Sequence, residues 1–462
     1  MMKNTSRFLV SAALALTLVA TTAHAAPVTT KTRPDTVTTT AHADTAKTEE
    51  KASTEEASNK AEAASEALAP TLKISGFTSV NFWGVNQSNR LNGKGAGYHL
   101  ANDLSDLYFI VSGRSESGLG YRYQMTFEAL PGAGKLYITQ NFIELQKGAT
   151  VQLGAAPDVT RSILQDGSRL MGGTGGFSGL YSRVFNVSSG VFSGFRPLGE
   201  TKYATKIVVF SPEWEGIRLA FDFTPNTAHF GAEPLNTAGT GTISSPGNTS
   251  SIYTSNNNGP FGVHSMSFGM SYNRAMGDWN VKMSAVGLLD RSYVVNTTKS
   301  TYSRTRVRGV RSYQLGGILG YGKFQVGGGW LDNGRSRLPY DNKLSIGGVS
   351  LGDTWQGNSG KAWNMAANYT DGPYQFAVGH QKTFRKTDAV NKAIGNVTSA
   401  TFGITPLQGL KLYVESDYVK TATNTKSVAL ASAIHAQTAS QLTNGIGNNK
   451  GVVTLTGIAL SF

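Results

Sequence analysis

Gly348 to Gly352 reads GVSLG, the G-x-S-x-G spacing of a serine nucleophile. That chemistry needs a strand, a sharp turn and a helix, so that the hydroxyl stands exposed beside a base. No helical pattern follows Gly352, and in a chain with 54 glycines the spacing arises readily by chance. Zinc chemistry is unsupported too, because the chain has no Cys and its seven His form no H-E-x-x-H pair. No catalytic, cofactor or metal site is therefore expected. What remains is fixed charge. Arg122 and Glu128 share one face of an alternating run, and Arg218 sits likewise in another. The stretch 157–200 carries Asp158, Asp166 and Glu200 together with Arg161, Arg169, Arg183 and Arg196. Fixed charges around a water-filled passage set which ions enter it.

The elements that would hold these charges are strands. In "GLGYRYQMTFEAL", Tyr121, Tyr123, Met125, Phe127 and Ala129 fall on one face and Arg122, Gln124, Thr126 and Glu128 on the other. Successive strand side chains point to opposite sides, so one face is apolar and the other polar. "GIRLAFDFTP" and "LKLYVESDYV" repeat the pattern. Sixteen such strands can be placed near 72–84, 103–115, 118–130, 136–147, 149–156, 201–211, 216–225, 262–275, 278–290, 311–321, 323–332, 360–371, 373–385, 395–405, 410–421 and 451–462. Short joints at Gly148, Gly277, Gly322 and Gly372 alternate with long segments such as 157–200 and 226–261. Short turns on one side and long loops on the other describe an all-β, sixteen-stranded antiparallel transmembrane β-barrel with periplasmic turns and outer loops. Trp214, Trp279 and Tyr374 at the turns suit an interfacial aromatic girdle.

The beginning of the chain agrees with export. Lys3 and Arg7 precede the apolar run Phe8–Ala20, and Ala23-His24-Ala25 supplies a small-x-small site, so residues 1–25 read as a signal peptide. Residues 26–70 read as a separate periplasmic segment, Thr-rich and disordered first, then Ala/Glu/Lys-rich and helical. They hold five basic against eight acidic side chains, a net of −3, and Lys3 and Arg7 add +2, so of the whole chain's +13 residues 71–462 carry +14. Export makes nucleic acid an unsuitable partner for that charge.

Several pieces taken in order carry a resemblance: "LKISGFTSVNFWG", "NFIELQKGATVQLGAAPDVTR", "TKIVVFSPEWEGIRLAFDFTPN", "YQLGGILGYGKFQVGGGWLD" and the final Phe462. Over about Leu72 to Phe462 the chain resembles the Gram-negative general porins, those of alpha-proteobacterial type above all. The resemblance implies a homotrimer in the outer membrane of a Gram-negative bacterium. It also implies a third outer loop, 157–200, folded into the lumen, and a Phe462 strand read by the outer-membrane insertion machinery. In the family that loop often carries carboxylates facing an arginine ladder; here it is not acidic overall.

The expected activity is passive diffusion of ions and small hydrophilic solutes, with a weak anion preference and no catalysis. A solute-specific anion channel, or a barrel with an adhesive or enzymatic role, is the alternative. The expected constriction comprises Arg122, Arg218, Arg161, Arg169, Asp158, Asp166 and Glu128. Arg304, Arg306, Arg308 and Arg311 of "SRTRVRGVR" either extend the positive ladder into the pore mouth or bind lipopolysaccharide phosphates.

Overall fold

The structure, a computed structural model, describes residues 69–88, 96–129, 136–187, 191, 195–201, 204–227, 260–296, 303–338, 340, 345–346, 349–350, 356–386, 392–423 and 448–462. The signal peptide and nearly all of the 26–70 segment lie outside the described residues. In the unit Pro70–Phe462 the strands are β1 (Thr71–Gln87), β2 (Ala96–Arg114), β3 (Gly120–Ala129), β4 (Leu136–Lys147), β5 (Ala149–Ala155), β6 (Lys206–Phe210), β7 (Ile217–Asn226) and β8 (Pro260–Met276), continued by β9 (Trp279–Asn296), β10 (Arg311–Tyr321), β11 (Phe324–Asp332), β12 (Lys361–Asp371), β13 (Tyr374–Lys386), β14 (Lys392–Leu407), β15 (Leu410–Thr423) and β16 (Asn448–Ser461). Each pairs antiparallel with the next, and β16 returns to pair with β1. The sheet closes as a sixteen-stranded barrel. A short extra strand, Ser303–Arg306, pairs with the end of β9. Among the described residues no helix is long and apolar enough to cross a membrane.

Turn chemistry explains the short joints. Gly118, Gly148, Gly216, Gly277, Gly322, Gly372 and Gly409 all adopt positive φ there, a region that costs a residue with a Cβ and costs glycine nothing. β6 is shorter than the alternation predicts, because Thr201, Ala204 and Thr205 stand outside the strand.

The faces sort as the alternation requires. Leu219, Phe221, Met283, Leu315, Met365 and Ile458 point outward and stay exposed, while their neighbours Ala220, Asp222 and Ser284 point inward and are buried. On β9 the outward row from Trp279 to Leu289 is free of charge before Arg291. That row is about 34 Å along the strand, or about 26 Å tall at a ~40° tilt, which matches the apolar band of an outer-membrane barrel. Rings mark the turn end of the band: Trp279 packs on Tyr321 and Phe324 on Tyr369, both with centroids 4.7 Å apart. Phe462 belongs to this rim. Its ring lies over Gly76, and its backbone exchanges hydrogen bonds with Gly76 at 2.9 and 3.1 Å. At the loop end, Phe82 stacks on Tyr98.

Candidate functional site

The connection between β5 and β6 enters the lumen and is fastened at its root by buried charge. Asp158 caps the one-turn helix Val159–Ser162, accepting from Arg161 N at 3.0 Å, and also accepts from Thr160 Oγ1 and Thr201 N at 2.7 Å each. Val159 N donates to Asp222 on β7 at 2.8 Å. Lys206 on β6 donates to the carbonyls of Ala156 and Thr201, and its ammonium is within coulombic reach of Asp158 and Asp222. All three ionisable side chains are buried. Buried charges persist only when paired and hydrogen-bonded, so this cluster fixes where the segment leaves the wall.

From there the segment travels round the inner surface, met along the way by polar side chains of several strands. Ser284 on β9 accepts from Gln165 N at 2.7 Å, and Asn364 on β12 accepts from Gly167 N at 3.1 Å. Asn368 reaches the Leu170 carbonyl, and Thr401 on β14 accepts from Gly172 N. The glycine-rich turn "MGGTGGFSG" then wraps the carboxylate of Glu415 on β15. Thr174 N and Thr174 Oγ1 each donate to it at 2.7 Å and Gly176 N at 3.2 Å. Gly173 and Gly176, at φ +60 and +56, turn the amides toward it. Farther on, Asn186 N donates to Gln87 on β1 and Asn186 O accepts from Asn449 on β16. Leu198 N returns to Asn333 at 2.8 Å.

Between these anchors the segment is held by an apolar core inside the barrel. Leu170, Met171, Phe177, Tyr181 and Phe185 pack on inward residues of β10, β12–β16 and β1, among them Ile318, Val397, Val419 and Leu455. The wall leaves room with glycines. A Cβ on Gly316 would stand 2.0 Å from the Gln165 carbonyl, and one on Gly379 2.5 Å from the Phe177 ring. The inward face of this half is therefore not the uniformly polar lining of a water-filled tube.

Arg161, Arg169 and Arg196 are turned away from the seat. Arg161 and Arg196 both pair with Glu200, the latter at 3.0 Å, and Arg169 donates to the Arg161 carbonyl at 2.9 Å. Three guanidiniums thus stand against one carboxylate. Burial pushes the Glu200 carboxyl up, but Arg161 and Arg196 together outweigh burial and hold it below its ordinary 4.5. A carboxyl with a depressed folded pKa contributes stability that is complete above its unfolded pKa and is lost as pH falls through the folded one. Thermal stability in detergent should fall as pH drops below the ordinary carboxyl value of 4.5, and Glu200→Gln should flatten that limb. A limb of the same depth in the variant would show that other carboxyls carry it.

Across the lumen, β3–β5 present polar side chains. Arg122 donates to Gln124, Gln124 to Gln140 at 3.0 Å, and Gln152 to Glu144 at 2.7 Å. Arg122 lies directly opposite Glu144, and Glu128 opposite Asp106. Arg218 also faces inward but near the turn end, its guanidinium 4.5 Å from the Phe210 ring centroid.

Three expected constriction residues are placed differently, Glu128 being buried in the wall opposite Asp106. Asp158 and Asp166 are buried caps of the segment rather than charges facing water; Asp166 accepts from Ser168 N at 2.6 Å. The "SRTRVRGVR" arginines are likewise not a ladder into the mouth. Arg306 pairs across from Tyr293, and Arg311 from Leu289, on the outward face, while Arg308 folds over Tyr340 at 5.2 Å. The Arg304 side chain and most of 348–352 lie outside the described residues. Sequence reasoning missed Lys206, Asp222 and Glu415 as anchors. Glu415 had a signal: a carboxylate on the inward parity of its strand, and a glycine-rich turn able to supply amides. His380, outward among apolar neighbours, packs against Trp363 at 5.3 Å, with Nδ1 2.8 Å from the Thr398 hydroxyl.

Known proteins agree on the architecture. A loop-deletion form of OmpT, an outer membrane protein of Vibrio cholerae, superposes with a TM-score of 0.50 over 85% of this chain and 100% of its own, at 12% identity. The chain has the fold of a bacterial outer-membrane β-barrel. No protein-family model matches it. A Rickettsia bellii protein is 24% identical over 319 residues, 59% of this chain and 67% of that protein. A Rickettsia prowazekii protein is 24% identical over 289 residues, 54% of this chain and 63% of that protein. Both are uncharacterized, and the match leaves about a third of each relative's length unspanned.

Proposed function

We propose that this barrel is an outer-membrane porin, a homotrimer through which ions and small hydrophilic solutes diffuse passively. The observation that carries the reading is the seating of 157–187 along the inner wall by buried polar anchors and an apolar core. In this reading Arg161, Arg169 and Arg196, none of which joins that apolar core, face the polar wall of β3–β5 across the remaining lumen. A passage between them has positive charge on one side and Glu144 on the other. Opposed charge orients dipolar solutes and keeps net selectivity small. Burial of Asp158 and Asp166 withdraws two carboxylates from the path, which tips the balance toward anions. Downhill passage needs no energy source and no catalytic group. Insertion machinery that reads the Phe462 strand, and outer-leaflet lipopolysaccharide, are the remaining partners of this reading.

Planar-bilayer conductance of the purified protein, with the reversal potential taken across a salt gradient, tests it. Large open steps, grouped in threes for a trimer, are expected, with a small potential of anion-selective sign. Arg161→Glu with Arg169→Glu should reverse that sign. Silence from a folded, heat-modifiable barrel would remove the channel reading. Conductance that saturates with one anion would replace it by a solute-specific channel.

A further inference from the structure

We propose that the outward face of β13–β16, at the loop end, binds phosphate-bearing lipid headgroups through Lys382, Lys420 and Lys450. The inference rests on the membrane placement of the barrel but not on its conductance. Register puts the three lysines in one row: Lys382 pairs with Asn396, Asn396 with Lys420, and Lys420 with Lys450. Their chain neighbours Gln381, Thr383, Val419, Thr421 and Asn449 are buried inward, so the lysines point outward. Neighbouring strands lie ~4.8 Å apart, so the row spans about 14 Å, enough to meet more than one phosphate.

The row is flanked by the residue types of a membrane surface. It continues sideways into Trp363, opposite Lys382, and Trp330, opposite Trp363. One outward step toward the band is Tyr418, which is exposed. Tryptophan and tyrosine collect where hydrocarbon meets headgroups.

Charge points to the occupant. Like charges directly opposite on adjacent strands destabilise a sheet unless an anion screens them. Lys420 and Lys450 are such a pair, and none of the described ion pairs includes them or Lys382. Elsewhere on this surface the protein supplies its own carboxylates. Lys361 is 2.7 Å from Asp332, and at the turn end Lys323 is 2.6 Å from Asp371. A row of unneutralised ammonium groups beside aromatic rings fits the phosphate layer of one leaflet. Ammonium groups meet phosphate oxygens as point charges at hydrogen-bond distance.

The test reconstitutes the full chain into phosphatidylcholine vesicles with or without a minor fraction of phosphatidic acid. Spin-labelled phosphatidic acid should be enriched severalfold over spin-labelled phosphatidylcholine in the lipid shell. Lys382→Gln with Lys420→Gln and Lys450→Gln should bring it to parity. Stability should cross over. In pure phosphatidylcholine the triple variant, relieved of repulsion, melts above the wild type; with phosphatidic acid it melts below. Lys323→Gln, at the other rim, should change neither readout. Should the triple variant not fold, Lys450→Gln alone must lose part of the enrichment, and the three-arginine variant must keep it. Undiminished enrichment in the folded glutamine variants overturns the proposal. So does an equal rise in melting temperature when inorganic phosphate is added to phosphatidylcholine vesicles, which would make this a free-phosphate site. Lost enrichment with intact conductance counts against this inference alone, and a silent barrel that keeps its lipid selectivity counts against the channel alone.

Discussion

Glu415→Ala should release the turn around Thr174 from the barrel wall. The carboxylate is fully buried and accepts from Thr174 N, Thr174 Oγ1 and Gly176 N. Hydrogen bonds to a charged group contribute ~1.5–3 kcal/mol each and do not add fully, so the seat should lose about 3–5 kcal/mol. Two backbone amides would be left in a lumen pocket without an acceptor, which is the costlier half of the change. Glu415→Gln keeps the shape and one strong acceptor and should cost about half as much. Amide hydrogen exchange at Thr174 and Gly176 reads this directly. Protection unchanged from the wild type would show that the apolar core alone holds the turn.

Phe177→Ala is the second large effect. Its ring is fully buried between the segment and the wall, beside Met171 and over Gly379. Removing a buried phenylalanine costs ~3–5 kcal/mol, because neighbours collapse only partly into the space left. Here the wall cannot follow, since its backbone is tied into the β12–β13 and β13–β14 ladders. Thermal unfolding in detergent should shift down, and exchange across 170–180 should speed. Phe221→Ala, on the outward face of β7, should leave that exchange as it was. A Phe177→Ala protein with wild-type exchange would place the seat's strength in its polar anchors.

Much of the architecture is legible in the sequence because a strand's period of two is exposed wherever one side meets lipid and the other water. Tyr121 to Ala129, Ile217 to Phe223 and Thr456 to Phe462 all sort this way, and the glycine turns punctuate them. β6 resists such reading because Thr201, which looks like strand, is used by Asp158 at the root of the lumen segment. The site was legible in outline, as a long glycine-rich connection with mixed charge. Its carboxylates were misjudged for a physical reason: Asp158 and Asp166 are cap residues, and a cap in a loop has the same composition as a charge facing water. The apolar seat left a trace as well. Val453 and Leu455 occupy inward parity on β16, where a water-lined wall calls for polar residues. Such residues signal that something covers them, but parity alone does not say which segment does.

The bridge at Asn186 has a kinetic consequence. Gln87 lies on the first strand and Asn449 on the last, 99 and 263 residues from Asn186, and both hold the backbone of that one residue from inside. Contacts so distant in the chain form late, because the loops they close must first lose their freedom. Joining β1 to β16 and docking the segment are therefore a single cooperative event. A seam that parts between β1 and β16 therefore loosens its hold on the segment in the same step.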